Sequence, residues 1–463
     1  MALEEEAAWG TATSSSVMAA MKRTATDMVG SADGKVRPPP PAGPAPSGES
    51  TFINQKLKPV GAPDGSRCWE DFYEMQAQVG EGMYGQVYKM KEKSSNETVA
   101  LKKVRMANEK EGFPITAIRE IKLLSKFADP SERRHPASGE NIVRLKEIVN
   151  SKADADNDNK GDIFMVLEYM EHDLSGVRES PNCKLTMSSI KTIMNQILTG
   201  IEDCHSNKIL HRDLKCSNVL MNRGGDVKLA DFGLARSAGD KKRLTPKVIT
   251  LWYRPPELLM GQQEYDYAVD IWSAGCILAE LFLGKPLLPG RDESDQIAKI
   301  FDIFGTPREP PPPPSYASPM SPQGDVPPPP PPSGPPGESR VTWKGVSQLP
   351  LYERFVSRKT RPKPYRLRQL MQDRTPPHFR HFLTDKFFHL LEGMLAYDPS
   401  KRLSASECVY HDFFYHDDPK WDRSHVKQMK HDLAMNMRNL DDSHEYELRV
   451  KRKAERERAK RFV

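Results

Sequence analysis

The order in which two hydrophobic periods follow one another constrains this chain most. Phe72 to Met90 alternates apolar and polar residues around a glycine cluster, and Thr98 to Val104 follows as a second strand-like run. Pro114 then stands where helix beginnings tolerate proline, and Ile115, Ile118, Ile121 and Leu124 recur every third residue, which predicts a helix. Ile163 to Tyr169 reads as a buried strand. Beyond it Ile190, Ile193, Ile197 and Ile201, with Met194 and Leu198, form an apolar stripe at helical spacing, and helices predominate from there. Strands first and helices afterwards imply an α+β chain of two packed units, joined by a short link near Glu168 to His172, with a cleft between them as the expected ligand site.

Composition bounds the remainder. The 40 prolines cluster near the N-terminus and between Glu309 and Pro336, so residues 1–66 read as a flexible tail and the second cluster as a polyproline loop directed outward. A net charge of +5 is too mild to argue for a nucleic-acid binder, so direct nucleic-acid binding is not expected. The 6 cysteines lie far apart without a Cys-x-x-Cys pair, against a disulfide framework or zinc site and in favour of a reducing compartment. The acidic start, Glu4 to Glu6, lacks the order of a secretory signal. The most apolar run, Cys276 to Leu283, falls short of the roughly 20 residues a spanning helix needs, so no membrane association is expected.

Several motifs carry chemistry. Gly80-Glu81-Gly82-Met83-Tyr84-Gly85-Gln86-Val87 would let backbone N–H groups approach phosphate oxygens, or is an ordinary turn; the strand-turn-strand context favours a nucleotide flap over a dinucleotide fingerprint. Val99-Ala100-Leu101-Lys102 sets an amine on a strand, and Glu120 follows on the predicted helix, either orienting Lys102 or lying as a solvated charge. The decisive stretch is His211-Arg212-Asp213-Leu214-Lys215-Cys216-Ser217-Asn218. Here Asp213 is suited to accept a hydroxyl proton, Lys215 to neutralise a transferred phosphoryl group, and Asn218 to ligate a second Mg²⁺. Asp231-Phe232-Gly233 adds a carboxylate for Mg²⁺ bridging the nucleotide phosphates, and Pro255-Pro256-Glu257 closes the segment.

In this order and approximate spacing, the motifs resemble those of a protein kinase across about Phe72 to Phe414. Gly112-Phe113-Pro114-Ile115-Thr116-Ala117-Ile118-Arg119-Glu120 is similar to the signature helix of cyclin-dependent kinases. The match is to the transcription-elongation branch: plant class C enzymes and the animal kinases partnered by cyclin K. Glu171-His172-Asp173-Leu174, Cys216-Ser217 and Ile249 to Glu257 support it. The resemblance implies a two-lobed kinase fold, with a β-rich N-lobe at 69–168, a hinge at 168–172 and a C-lobe at 173–414. A proline-rich insert at 309–340, a tail at 1–68 and a basic extension at 415–463 complete the layout.

The same resemblance implies ATP as co-substrate, held by Val79, Gly80, Glu81, Gly82, Gly85, Val87, Ala100, Lys102, Glu120, Glu168, Met170, Asp173, Leu220 and Asp231, with Mg²⁺ on Asn218 and Asp231. It implies a cyclin of the K, T or L kind at the Pro114–Glu120 helix. Thr245 would be the activating phosphothreonine, received by Arg119, Arg212 and Arg236, with Tyr84 as a further regulatory position. The implied substrate is Ser or Thr followed by Pro, on the heptad-repeat tail of RNA polymerase II, in the nucleus. Three features depart from the family pattern: Met83 at a usual threonine, Leu167 at a usual phenylalanine behind the adenine, and Pro246 after Thr245. The run Arg449 to Arg461 reads as an import signal, an RNA contact or a solvated helix. Another proline-directed kinase and a catalytically silent scaffold are the competing expectations.

Overall fold

The computed structural model describes residues 67–82, 85–105, 114–129, 138–152, 161–238, 244–311, 340–356, 361–421, 425–447, 449, 450 and 453. Residues 1–66 of the expected N-terminal tail, most of the proline-rich insert, Met83, Tyr84, Gly112, Phe113, Lys241 to Arg243 and most of the basic run after Glu447 lie outside the described residues, whereas Arg67 and Cys68 join the first unit through Glu147 and Asn150. The chain divides into two compact units, the first through residue 132 with 144–169 and the second comprising 133–143 and everything from Met170.

The first unit is a five-stranded antiparallel sheet in the order β1-β2-β3-β5-β4, with β1 Tyr73–Gly82, β2 Gly85–Glu92, β3 Thr98–Lys103, β4 Leu145–Asn150 and β5 Ile163–Glu168. Alternation buries one set of side chains, so Tyr73, Met90, Val99, Leu101, Val149, Phe164 and Val166 form its core, with Trp69 and Tyr88 packed against them. Gly85 is required at the β1–β2 turn, because a Cβ there would stand 2.0 Å from the Lys103 carbonyl oxygen and its φ is +141°.

The predicted helix forms over Ile115–Ala128, entered from Pro114. Its buried face is Ala117, Glu120, Ile121, Leu124, Phe127 and Ala128, whereas Ile115 is 53% exposed. The expected every-third-residue stripe is therefore only partly the packed face. Steps of three fall short of a full 3.6-residue turn and drift around the helix, so spacings of three and four together mark the core side.

In the second unit, helix Met187–Ser206 runs through the core with Ile190, Ile193, Met194, Ile197, Leu198 and Ile201 all buried. Thr186 caps it, accepting from the Ser189 N–H at 3.2 Å. Helix Ala268–Leu283 is buried on every side and ends at Gly284, whose φ of +67° suits a helix terminus. The apolar run noted in the sequence is thus core, and no helix among the described residues is long and apolar enough to cross a membrane. Short strands β6 His172–Asp173, β8 Val219–Met221 and β9 Val227–Leu229 form one sheet, and β7 Ile209–Leu210 pairs with β10 Arg236–Ser237.

Two segments fall elsewhere than the sequence implied. Residues 138–143 belong to the second unit although they were expected in the β-rich part: Leu229 donates to the Asn141 carbonyl at 2.8 Å, Val143 donates to Leu229 at 2.9 Å, and Asp203 accepts from Gly139 N–H at 2.7 Å. Residues 426–445 also pack onto this unit. Helix Val426–Met437 buries Met429, Leu433 and Met437, Lys430 pairs with Asp226 at 2.8 Å, and Ser443 bridges His172. Gly225 and Gly176 admit this segment, since a Cβ on either would meet the Lys430 or Ser443 carbonyl oxygen at 2.2 Å.

Candidate active site

In the first unit, Val79 is buried, and Gly80, Glu81 and Gly82 oppose Val87, Gln86 and Gly85 across the β1–β2 turn. One residue further along the sheet, Val87 faces Lys102 on β3. Lys102 is 8% exposed and donates to both Glu120 carboxylate oxygens, at 2.8 and 3.0 Å, although 18 residues separate the two in sequence. The alternative of a solvated charge at Glu120 is overturned: Glu120 lies on the buried face, where a carboxylate needs a cation. Ala100 and Leu167 are paired across β3 and β5, and Glu168 closes the last rung opposite Val99. The Glu168 carboxylate accepts from the Arg144 N–H at 2.7 Å and its own N–H donates to the Arg144 carbonyl at 3.0 Å. Arg119 is half-buried on the Ile115–Ala128 helix.

In the second unit the loop after β7 carries Asp213, held from both sides. One carboxylate oxygen accepts from Lys215 Nζ and from Asn218 Nδ2, each at 3.0 Å, and the other accepts from the Thr250 hydroxyl at 2.9 Å. Asn218 Nδ2 also donates to the Asp213 carbonyl at 2.7 Å, so both hydrogen bonds within the cluster come from the Asn218 amide nitrogen. Ala230 donates to the Asn218 carbonyl at 2.9 Å and so ties β9's end, just before Asp231, to the catalytic loop. Asp231 has a left-handed backbone, φ +64°, directly ahead of the buried Phe232. Leu220 pairs with Asp173 and Lys228, and Met170 is buried.

The sequence reading passed over the group that shapes this loop. Asp270, fully buried on helix Ala268–Leu283, accepts from the backbone N–H of His211 and of Arg212, both at 2.9 Å, and from His205 Nε2 at 3.0 Å. Burial alone would raise its carboxyl, but the His205 hydrogen bond and charge and the Arg212 N–H outweigh that and hold it below the usual range. The clasp supports Arg212 at φ +64°, a conformation unfavourable for a non-glycine residue. Thr250, 37 residues from its partner, was quoted in a motif but given no role. The available signal for Asp270 was its being one of two acids, with Glu280, inside an otherwise largely apolar helix.

Around the activation segment, Thr245 is exposed, Arg212 is 3% exposed and donates from NH1 to the Tyr265 hydroxyl at 2.9 Å, and that hydroxyl donates to the Thr245 carbonyl at 3.0 Å. Arg236 is half-buried on β10. Ile249 also has a left-handed φ of +65°, and its carbonyl accepts from Arg254 Nε and NH2 at 3.2 and 3.1 Å. A β-branched residue in that region is strained.

Asp173 is only 4% exposed, with its oxygens accepting from Gly176 and Glu445 N–H groups at 2.7 and 2.6 Å. Burial pushes its carboxyl up to about 7, and the charge of Glu445 adds to that while the two N–H donors oppose it. An acid raised on folding contributes stability that is complete below about pH 4 and is lost as pH rises through about 7. The thermal midpoint of the wild type is expected to fall between about pH 5 and about pH 8, and Asp173→Asn, less stable overall, to lose that slope. Parallel slopes in a melting series of both proteins would refute the assignment.

Comparison with known proteins follows the same lines. The protein kinase domain model matches residues 73–414. Cyclin-dependent kinase C-1 of Oryza sativa subsp. japonica is 42% identical over 393 residues, 81% of this chain; the chain spans 65% of that relative's length. Cyclin-dependent kinase 9 of Homo sapiens is 38% identical over 353 residues, covering 74% of this chain and 81% of the human protein. Among solved structures, a chain of the yeast RNA Pol II CTD kinase CTDK-1 complex superposes with a TM-score of 0.59 at 34% identity, covering 76% of this chain and 94% of that one. With the buried lysine–glutamate pair on the first unit and the Asp213 cluster on the second, these matches lead to one statement: the chain belongs to the protein kinase family and, within it, to the cyclin-dependent kinases.

Proposed function

We propose that this chain is a cyclin-dependent serine/threonine kinase that transfers the γ-phosphoryl group of ATP to Ser or Thr followed by Pro. The observation that carries the reading is the Asp213 carboxylate, positioned by Lys215, Asn218 and Thr250 in one hydrogen-bonded cluster. Phosphoryl transfer needs little covalent work from a protein, so positioning and charge dominate. Asp213 orients the acceptor hydroxyl and takes its proton, and Lys215 neutralises charge on the moving phosphoryl group. Lys102, held by Glu120, pairs with the nucleotide phosphates, while Val79 and Ala100 on the same unit supply apolar contacts to the adenine. The hard oxygen donors of Asn218 and Asp231 suit Mg²⁺, which binds through few protein oxygens and otherwise water and phosphate. Mg²⁺ there would offset the charge on the phosphates.

Proline selectivity has its own support. The residue after the phosphorylated hydroxyl ordinarily brings an N–H that needs an acceptor, and the Ile249 carbonyl, taken by Arg254, is not one. Proline has no N–H to leave unpaired. An unpaired buried donor costs about 1–3 kcal/mol, so a Ser-Pro peptide is expected to exceed its Ser-Ala counterpart about 10- to 100-fold in kcat/KM. Arg254→Leu frees the carbonyl and is expected to shrink that ratio toward unity. A ratio unchanged in the variant would remove this account.

Ile115, apolar and 53% exposed at the start of the helix that carries Glu120, fits a cyclin of the K, T or L kind docking there. The heptad-repeat tail of RNA polymerase II is the proposed substrate, supported by the solved relative described as an RNA Pol II CTD kinase, and the nucleus is the proposed site of action. We further propose Thr245 as a phosphoacceptor, its phosphate held by Arg212 and Arg236 of the same unit. Purification of the chain from its own cells, identification of what stays bound, and assay on a heptad-repeat peptide test the whole reading. A bound cyclin with Ser-Pro phosphorylation is the expected result; a complex without a cyclin, or inert toward the peptide, rejects it.

A further inference from the structure

The segment around Thr245 is fastened to the rest of the second unit by two hydrogen bonds between protein groups. Leu244 donates to the Gln263 carbonyl at 2.9 Å, and one residue on, the Thr245 carbonyl accepts from the Tyr265 hydroxyl at 3.0 Å. The same hydroxyl accepts from Arg212 NH1 at 2.9 Å. Arg212 is otherwise committed: its Nε donates to the Leu234 carbonyl at 2.8 Å and its backbone N–H to Asp270 at 2.9 Å. A phenol can do this double duty because it both donates and accepts. Burial raises the Tyr265 hydroxyl above its ordinary value, with the Arg212 charge acting against that rise, so it keeps the proton that it gives to Thr245.

We propose that Tyr265 is a positioning residue that holds the activation segment in its working arrangement before Thr245 is phosphorylated. The clause about phosphorylation rests on the reading of Thr245 as a phosphoacceptor; the tether itself does not. Five residues beyond Thr245, Thr250 donates to Asp213 through its hydroxyl at 2.9 Å, so the backbone that Tyr265 fastens is the backbone that presents Thr250 to the base. A phosphate brings three strong acceptor oxygens and binds guanidinium groups directly, so on a phosphorylated chain the phenol bridge becomes redundant. Tyr265 therefore acts through Thr250, and its effect belongs in kcat rather than in KM.

The test compares wild type, Tyr265→Phe, Thr245→Ala and the double variant as full chains with their co-purified partner, each phosphatase-treated or fully phosphorylated, with Thr245 occupancy read by mass spectrometry. Phenylalanine keeps the ring and removes only the hydroxyl. In phosphate-free protein Tyr265→Phe is expected to lower kcat on a Ser-Pro peptide about tenfold, as loss of hydrogen bonds including one to a charged group would, with KM nearly unchanged. With Thr245 phosphorylated the loss should stay under about twofold. Equal losses in both states would reveal a merely structural tyrosine, and no loss in phosphate-free protein would remove the tether; either overturns the proposal. If Thr245→Ala behaves as wild type in every state, the phosphoacceptor reading fails by itself, and the phosphate-free effect of Tyr265→Phe still decides the tether. Hydrogen–deuterium exchange of phosphate-free wild type gives a variant-independent check: slow exchange at Leu244 supports the double staple, and exchange at the rate of free peptide overturns it.

Discussion

Asp213→Asn is expected to abolish transfer to a Ser-Pro peptide, lowering kcat by about 10³-fold or more, while the protein stays folded and still binds nucleotide. General-base positioning contributes about 10²–10⁴ in rate, and the geometry of this carboxylate argues for the upper part of that range. Its oxygens accept from three side chains, Lys215, Asn218 and Thr250. An amide keeps one acceptor oxygen, which can still serve Thr250. The other position becomes an NH₂ facing the ammonium of Lys215, which loses this acceptor, and the amide of Asn218, which keeps only the Asp213 carbonyl. The substitution therefore removes the proton acceptor and scatters the groups aligned with it. Because these residues act as a unit, Lys215→Ala added to Asp213→Asn should cost little more, a non-additivity expected of a shared site. The measurement is steady-state phosphorylation beside an equilibrium titration of nucleotide. Activity within tenfold of wild type would reject Asp213 as the base.

What could be read from the sequence was set by how locally each feature is encoded. Asp213, Lys215 and Asn218 lie within six positions, so their side chains converge wherever that loop forms, and their identities alone announce the chemistry. Strand alternation and the isoleucine stripe likewise report on neighbours along the chain, and the corresponding sheet and core helix are present. Asp270 and Thr250 reach the same loop from 59 and 37 residues away, and nothing in local periodicity ties them to it. Backbone conformation was equally hidden: Arg212, Asp231 and Ile249 all sit at positive φ, yet none is the glycine that would advertise it. Tyr265 carries no local signal in the sequence, because its partners Arg212 and Thr245 are 53 and 20 residues away. The expected layout gave 415–463 only as an extension with a basic tail and assigned no packing to 426–445, although Met429, Leu433 and Met437 recur every fourth residue and are the packed stripe.

The second large effect is expected at Arg402, whose removal should cost about 3–5 kcal/mol of folding stability. Arg402 and Glu257 form a two-pronged pair, NH1 to Oε1 at 2.6 Å and NH2 to Oε2 at 2.7 Å, with side chains 0% and 1% exposed. The remaining donor capacity is used on backbone: Nε on Ala396 at 2.8 Å, NH1 on Ala268 at 3.1 Å and NH2 on Tyr397 at 3.3 Å, with the guanidinium centre 5.0 Å from the Trp272 ring centroid. Arg402→Met fills most of the volume yet strands a buried carboxylate and three carbonyls. Against the roughly 5–15 kcal/mol that holds a domain together, that loss is about a fifth of the total or more. Arg402→Lys should rescue only partly, since an ammonium cannot reproduce the planar fork. Arg402→Met combined with Glu257→Leu removes both charges and should recover part of the loss, because the penalty lies chiefly in the uncompensated ion rather than in the missing attraction. Glu257 closes the segment that carries Thr245 and Thr250, so the single variant should also lose activity before it unfolds. Urea denaturation of the four proteins decides it: an Arg402→Met midpoint within about 1 kcal/mol of wild type, or a double variant no more stable than the single, would show that the pair does not bear this load.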